Sequence, residues 1–313
     1  MFAFVVRRVL ATIPVMGVVA LFVFSLLYFS PGDPAAMIAG DLATVEDIEK
    51  VRRTLGLDQP YLVRFGTWLW AILHGDLGTS IFSGIPVTTL IGQRLEATIS
   101  LSIVTLIFSV AVAVPLGVLA AWKAGGWIDR AVMVFAVFGF SVPVFVLGYL
   151  LIFTFAIEFD WLPVQGFVSI REGFWPFLRQ MILPSAALGT IYIALIARMT
   201  RAAMLDVLAQ DYIRTANAKG LRTDKVLLGH ALKNAAVPIV TVVGIGVALL
   251  IGGVVVTESV FAIPGLGRMT VDAILRRDYP IIQGVILMFS FVYVLINLLV
   301  DLSYTLFDPR IRY

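Results

Sequence analysis

Cysteine is absent from the 313-residue chain and histidine occurs only twice. Without thiols there is no disulfide scaffold, no thiolate metal site and no cysteine nucleophile. His74 and His230 stand too far apart in sequence to suggest a histidine-rich metal centre. Charge is scarce as well, with Asp, Glu, Lys and Arg making up 14% of the residues. No Asp, Glu, His, Lys or Arg falls between Glu96 and Lys123, or between Arg130 and Glu158. Ion-coupled carriers and proton pumps usually hold carboxylates or histidines near the middle of the bilayer. That shortage weighs against the main alternative reading, an ion-coupled secondary transporter acting alone. Also missing is the Gly-x4-Gly-Lys-Ser/Thr loop that cradles phosphates, so the chain has no P-loop of its own for ATP. No paired carboxylates, histidine cluster or serine–base arrangement lies in the apolar stretches, which argues against a membrane-embedded enzyme.

What is abundant is apolar surface: 60% of residues are hydrophobic and the mean hydropathy is +0.99. A water-soluble fold cannot cover so much, and a disordered chain has the opposite composition. The expected fold class is therefore an all-α integral membrane protein. Six stretches near 9–29, 98–122, 131–157, 181–204, 238–257 and 281–307 are long and apolar enough to be transmembrane helices. The first, preceded by Arg7 and Arg8, is too long for a signal-peptide core and ends in Ser30-Pro31-Gly32-Asp33-Pro34 rather than at a small-residue cleavage site, so it reads as a retained anchor. Placing a tail of residues 1–8 in the cytoplasm puts Arg7, Arg8, Lys123, Arg130 and the basic loop 205–237 inside, with Arg171, Arg179, Arg268, Arg276 and Arg277 in the shorter outer loops. The positive-inside rule then sets both termini, including the tail 308–313, in the cytoplasm.

Two connections are large. The external one, 30–97, carries helical signals of its own: Thr44-Val45-Glu46-Asp47 reads as a cap leading into 48–55, and 60–73 is amphipathic with Trp68 and Trp70. The internal one, 205–237, lies within the core region 98–307 between Pro184 and Pro238, both expected to break helices. Proline recurs in the spans at Pro14, Pro115, Pro143 and Pro184, and the fifth span holds Gly244, Gly246, Gly252 and Gly253. Close helix packing explains such residues on composition alone. The functional alternative makes Pro143, these glycines, Thr257 and Glu258 candidate pore or gate residues in bent helices lining a path. Arg198 and Arg201 read as snorkelling residues at the inner end of span four, and His74 as a turn residue.

The stretch 206–220 (DVLAQDYIRTANAKG) has helical spacing that puts Tyr212, Thr215, Ala216 and Lys219 on one face and Arg214, Asn217 and Ala218 on another. Gly220 suits a left-handed helix C-cap with Leu221 as its apolar contact, and Thr223-Asp224 would start a second short helix, 225–234, ending before Pro238. A solvated basic helix on anionic lipid accounts for the pattern. So does a helix whose Ala216 and Ala218 leave a shallow surface for a groove on another protein.

Residues Asp211-Tyr212-Ile213-Arg214-Thr215-Ala216-Asn217-Ala218-Lys219-Gly220-Leu221, then His230-Ala231-Leu232-Lys233-Asn234-Ala235 and Pro238, closely resemble the cytoplasmic loop of the peptide-class ABC importer permeases. Other landmarks of that family follow in order: Pro31-Gly32-Asp33-Pro34, Leu55-Gly56-Leu57-Asp58-Gln59-Pro60, Gly75-Asp76-Leu77-Gly78, Pro264-Gly265-Leu266-Gly267-Arg268, Arg277-Asp278-Tyr279-Pro280 and Asp308-Pro309-Arg310-Ile311-Arg312. The resemblance covers nearly the whole chain and is similar to the first permease subunit of a dipeptide, oligopeptide or glutathione importer. It implies the type I ABC importer permease architecture. It also implies an ATPase-coupling helix containing Asp211, Tyr212, Arg214, Thr215, Ala216, Ala218, Lys219, Gly220 and Leu221. In that helix Arg214-Thr215-Ala216 stands where the family carries Glu-Ala-Ala. The implied partners are a second, similar permease, two ATP-binding subunits that hold the ATP and Mg, an external solute-binding protein and a peptide substrate. No cofactor or metal on this chain and no nucleic acid is implied.

Overall fold

The computed structural model describes residues 2–29, 33–39, 43–54 and 56–307. Pro31 and Gly32, Leu55 and the segment 308–313, all parts of motifs named above, lie outside the described residues. The chain is a succession of helices: α1 (Phe2–Phe29), α2 (Pro34–Ala39), α3 (Val45–Thr54), α4 (Tyr61–Leu73), α5 (Val87–Trp122), α6 (Trp127–Ser141), α7 (Val144–Leu151), α8 (Phe174–Leu208), α9 (Asp211–Ala218), α10 (Leu232–Val260), α11 (Leu266–Arg276) and α12 (Tyr279–Phe307). Two wide π-helical segments, Ile152–Glu158 and Lys225–Ala231, extend α7 and lead into α10. Among the described residues the only β pairing is an isolated bridge between Thr79 and Pro86. Among the described residues five helical stretches are long and apolar enough to cross a membrane, and the α6–α7 pair makes a sixth span if counted as one.

That pair is bent by 104°. Val142 is extended (φ −88°, ψ 121°) and Pro143 stands at the N-cap of α7. A proline forces the residue before it out of the helical region, so the break falls where the sequence places Val142-Pro143. Pro184 and Pro238, expected to break helices, do not: α8 and α10 run through them. The short helix expected at 225–234 likewise continues unbroken to Val260. Loss of one backbone bond is tolerable in an apolar helix packed along its length, as α8 and α10 are against each other.

The contacts divide the chain into two units. Among the described residues one comprises 95–268 and 295–307, and the other the remainder up to 94 together with 269–294. In the first unit α8 is the buried core, packed along α10, α6 and α7. Small residues allow the close approach: a Cβ on Gly117 of α5 would lie 2.5 Å from Thr200 Cβ and 2.7 Å from the Ala197 carbonyl oxygen, both on α8. A Cβ on Gly139 of α6 would meet Ala194 at 3.1 Å.

In the second unit α1 packs on α4 through aromatic rings. Phe24 sits edge-on to Tyr61 and Phe65, each with centroids at 5.4 Å, and against Trp68 at 5.1 Å. Ser25 and Tyr61 hydroxyls are bonded at 2.7 Å. Trp68 is thus part of the packing, whereas Trp70 is exposed. The cap read from the sequence is present: Thr44 Oγ1 accepts the Asp47 amide at 3.2 Å, and Asp47 Oδ2 accepts the Thr44 amide and hydroxyl at 3.1 and 2.7 Å. His74 closes α4, its Nδ1 2.8 Å from the Trp70 carbonyl oxygen, and Gly75 follows with φ +83°.

Gly117→Leu should lower the stability of the detergent-solubilised protein by about 1–3 kcal/mol through overpacking against α8. A thermal melt shows it as a fall in midpoint, with Gly92→Leu on the open part of the same helix as control.

Candidate functional site

The loop between α8 and α10 builds its surface around α9. The helix is eight residues long and buries only Ile213 and Ala216, 2% and 8% exposed. They enter a cluster formed by Val118 and Ala121 at the end of α5, Ala203 and Met204 at the end of α8, Val226, Leu227 and Ala231 in the π-helical segment, and Ala235 and Ile239 in α10. Every other residue of α9 faces outward. Asp211, Tyr212, Arg214, Thr215, Ala218, Lys219, Gly220 and Leu221 are therefore on open surface, while Ala216 packs against its own chain. Helical spacing alone did not separate these roles, because Ile213 was the missing marker of the inner face.

The end of α9 follows from Gly220. Its φ is +75°, and the Gly220 and Leu221 amides donate to the carbonyl oxygens of Asn217 (3.0 Å) and Ala216 (3.3 Å). This reciprocal pattern satisfies carbonyls that the helix leaves unpaired, and it needs the left-handed region that glycine enters without penalty. The exposed Asp211–Arg214 pair at 3.3 Å contributes little.

Close to the same end of the unit, Asp129 in the first turn of α6 receives both the Nε and Nη2 groups of Arg201 on α8, the latter at 2.7 Å, and the Gly125 amide at 2.9 Å. Arg201 is thus committed to a carboxylate rather than snorkelling. Arg198 is exposed, with its guanidinium 5.3 Å from the Phe140 ring centre.

The positions suggested for a pore or gate differ in their surroundings. Pro143 marks the α6–α7 break. A Cβ on Gly244 would overlap Val300, and one on Gly253 would lie 2.6 Å from Leu188, so both are packing contacts. Gly246 meets Tyr192 at 3.5 Å, while Gly252 faces open space. The Thr257 hydroxyl donates to the Gly253 carbonyl oxygen within its own helix at 3.0 Å.

Glu258 is different. It is fully buried in the last turn of α10. Its Oε1 accepts the Thr98 hydroxyl at 2.5 Å and its Oε2 accepts the Arg268 amide at 2.9 Å. Thr98 Oγ1 also accepts the Leu266 amide at 2.8 Å. Carboxylate and hydroxyl together cap the first turn of α11, where amide hydrogens point outward and a negative charge is favoured. A Cβ on Gly265 would overlap the carboxylate, and one on Gly267 would lie 2.6 Å from Val255 Cα. The Pro264-Gly265-Leu266-Gly267-Arg268 motif is thus the wrapping of a buried acid. Thr98, 160 positions away, gave no signal in the sequence.

With this geometry in view, the comparisons with known proteins are specific. A family model described as Binding-protein-dependent transport system inner membrane component matches residues 113–313, and the model for the N-terminal part of such membrane components matches residues 1–102. The chain is 56% identical over 310 residues to the Probable peptide ABC transporter permease protein y4tP of Sinorhizobium fredii, covering 99% of each. It is 44% identical over 313 residues to the Glutathione transport system permease protein GsiC of Escherichia coli, covering 100% of each. It is 42% identical over 333 residues to the Dipeptide transport system permease protein DppB of Alkalihalophilus pseudofirmus, again covering 100% of each. Among solved structures, an inward-facing MetNI methionine ABC transporter matches 70% of this chain and 96% of its own with a TM-score of 0.59 at 20% identity, a likeness of fold.

Replacing Glu258 by Ala leaves the Arg268 amide and the Thr98 hydroxyl without their buried acceptor, at a cost of about 1–3 kcal/mol for each. Glu258→Gln keeps an acceptor oxygen and should lose less. Thermal melts of the two variants in detergent rank them, and equal midpoints would rule out the cage as a stabilising element.

Proposed function

The chain belongs to the binding-protein-dependent transport system inner membrane component family, and from that membership we propose that it is the multi-pass permease subunit of an ATP-driven importer for di- and oligopeptides or glutathione-like peptides. The observation that carries the reading is the seat of α9: two residues buried on the ends of α5, α8 and α10, and the rest of the helix turned outward. A helix so placed serves as a contact surface whose displacement moves three long helices together. In this reading ATP and Mg bind in two separate ATPase subunits, one of which holds α9 in a groove, and no catalytic residue lies in this chain. A second, similar permease completes the path, and an external binding protein delivers the peptide. The termini and the α9 loop face the cytoplasm.

Closing of the ATPase pair shifts α9, and the shift passes through Ile213 and Ala216 into the helix ends. The path then alternates between inward-facing and outward-facing states. Charge-poor spans suit the task, since a solute held tightly along the way would not leave. Selectivity between peptides then belongs mainly to the binding protein.

A Cβ at Gly220 would meet nothing within 4 Å, so replacing it acts through the backbone alone. Gly220→Val should strain the left-handed cap by about 1–2 kcal/mol. In the reconstituted complex it is expected to lower dipeptide uptake severalfold while ATP hydrolysis and membrane insertion persist. Gly220→Asn, which tolerates that conformation, should retain uptake. Unchanged uptake in Gly220→Val would refute the coupling role.

A further inference from the structure

The second unit contains a cavity of about 200 Å³ that the coupling scheme does not use. It opens between the turn preceding α5, the first turns of α5, the body of α11 and the start of α12. Ser80, Ser83, Arg94, Asp272, Arg276 and Asp278 bring hydroxyl, guanidinium and carboxylate groups to one small space, over an apolar floor that includes Met269 and Ile281.

These charges fall into two kinds. Asp278 is buried and fully engaged: its Oδ2 accepts the Ser80 hydroxyl at 2.5 Å and its Oδ1 the Ile81 amide at 3.3 Å. It holds the turn that forms the wall. The side chains of Arg94, Asp272 and Arg276, by contrast, make no hydrogen bond or ion pair among the described residues. Two guanidinium groups and one carboxylate without a partner among the described residues therefore face the same cavity.

We propose that this cavity receives the two charged ends of a short free peptide, its carboxylate on Arg94 and Arg276 and its ammonium on Asp272. The proposal rests on the peptide-import reading and adds to it a recognition site on the permease itself. A guanidinium matches a carboxylate in a forked geometry, and Asp272 both supplies the partner for an ammonium and disfavours a ligand that is purely anionic. The volume suits a small molecule rather than a helix or strand of another protein. Because Asp272 and Arg276 are exposed to solvent, each ion pair is weak, and the ligand leaves easily.

The natural absence of cysteine provides the test. Ser83→Cys places a single thiol in this chain at the cavity wall. In the complex reconstituted with its partner subunits, labelling of that thiol by N-ethylmaleimide is followed by the mass of this chain. L-Alanyl-L-alanine at ten times its dissociation constant should slow labelling about tenfold. N-acetyl-L-alanyl-L-alaninamide, with both ends blocked, should leave the rate unchanged, and adding Arg94→Gln or Asp272→Asn should cut the protection to about threefold. Equal protection by the free and blocked dipeptides, or none in a preparation that imports dipeptide, overturns the proposal. Protection by the binding protein alone, without dipeptide, overturns it as well and assigns the cavity to a protein contact. Failure of the import reading is separate: the complex without the cysteine substitution would take up no dipeptide, while protection of the thiol would still stand.

Discussion

The burial of Ile213 and Ala216 among the ends of α5, α8 and α10 is the contact on which the functional reading depends. A helix of eight residues has little stability alone, so α9 owes its position to that apolar seat and to the Gly220 cap. The seat in turn exists because α8 stands at the centre of its unit, with glycines of α5 and α6 letting their backbones approach it. Movement of α9 independent of these helix ends would expose the buried pair and open voids among close-packed side chains.

Few charges are buried, and those present act as structural ties. Asp129 binds Arg201 and the Gly125 amide, joining the start of α6 to the end of α8. Glu258 binds the Thr98 hydroxyl and the Arg268 amide, joining the end of α10 to α5 and to the first turn of α11. In each case a carboxylate is satisfied by several donors at once, the condition under which a buried charge persists without destabilising its surroundings. Among the described residues the apolar middle of the spans has no equivalent, which leaves close packing of small residues as the main source of specificity there.

Local signals were legible in the sequence wherever the cause lies within a few residues. Thr44 and Asp47 announce α3, and Gly220 and Leu221 close α9. Prolines were ambiguous for a physical reason: Pro143 follows an extended residue, while Pro184 and Pro238 lie in helices whose packing outweighs one lost bond. Contacts across the fold were not legible. Arg201 and Asp129 are 72 positions apart, and nothing near Arg201 distinguishes a paired guanidinium from one reaching for lipid headgroups. The pore candidates could not be sorted from the sequence for a related reason, since glycine at a packing contact and glycine beside an open path look alike there. The helix α9 could be located by its pattern, but its inner edge at Ala216 needed the contacting residues of four different segments.

The continuity of α10 has one more implication. Its 29 residues span about 43 Å at the usual rise of 1.5 Å per residue, with the α9 seat at one end and the Glu258 cage at the other. A hydrogen-bonded rod of that length resists torsion, so a twist applied beside the seat reaches the cage as rotation instead of being absorbed on the way. Pro238, which removes one backbone bond, lies within the seat itself, between Ala235 and Ile239, so the rod beyond it is continuous.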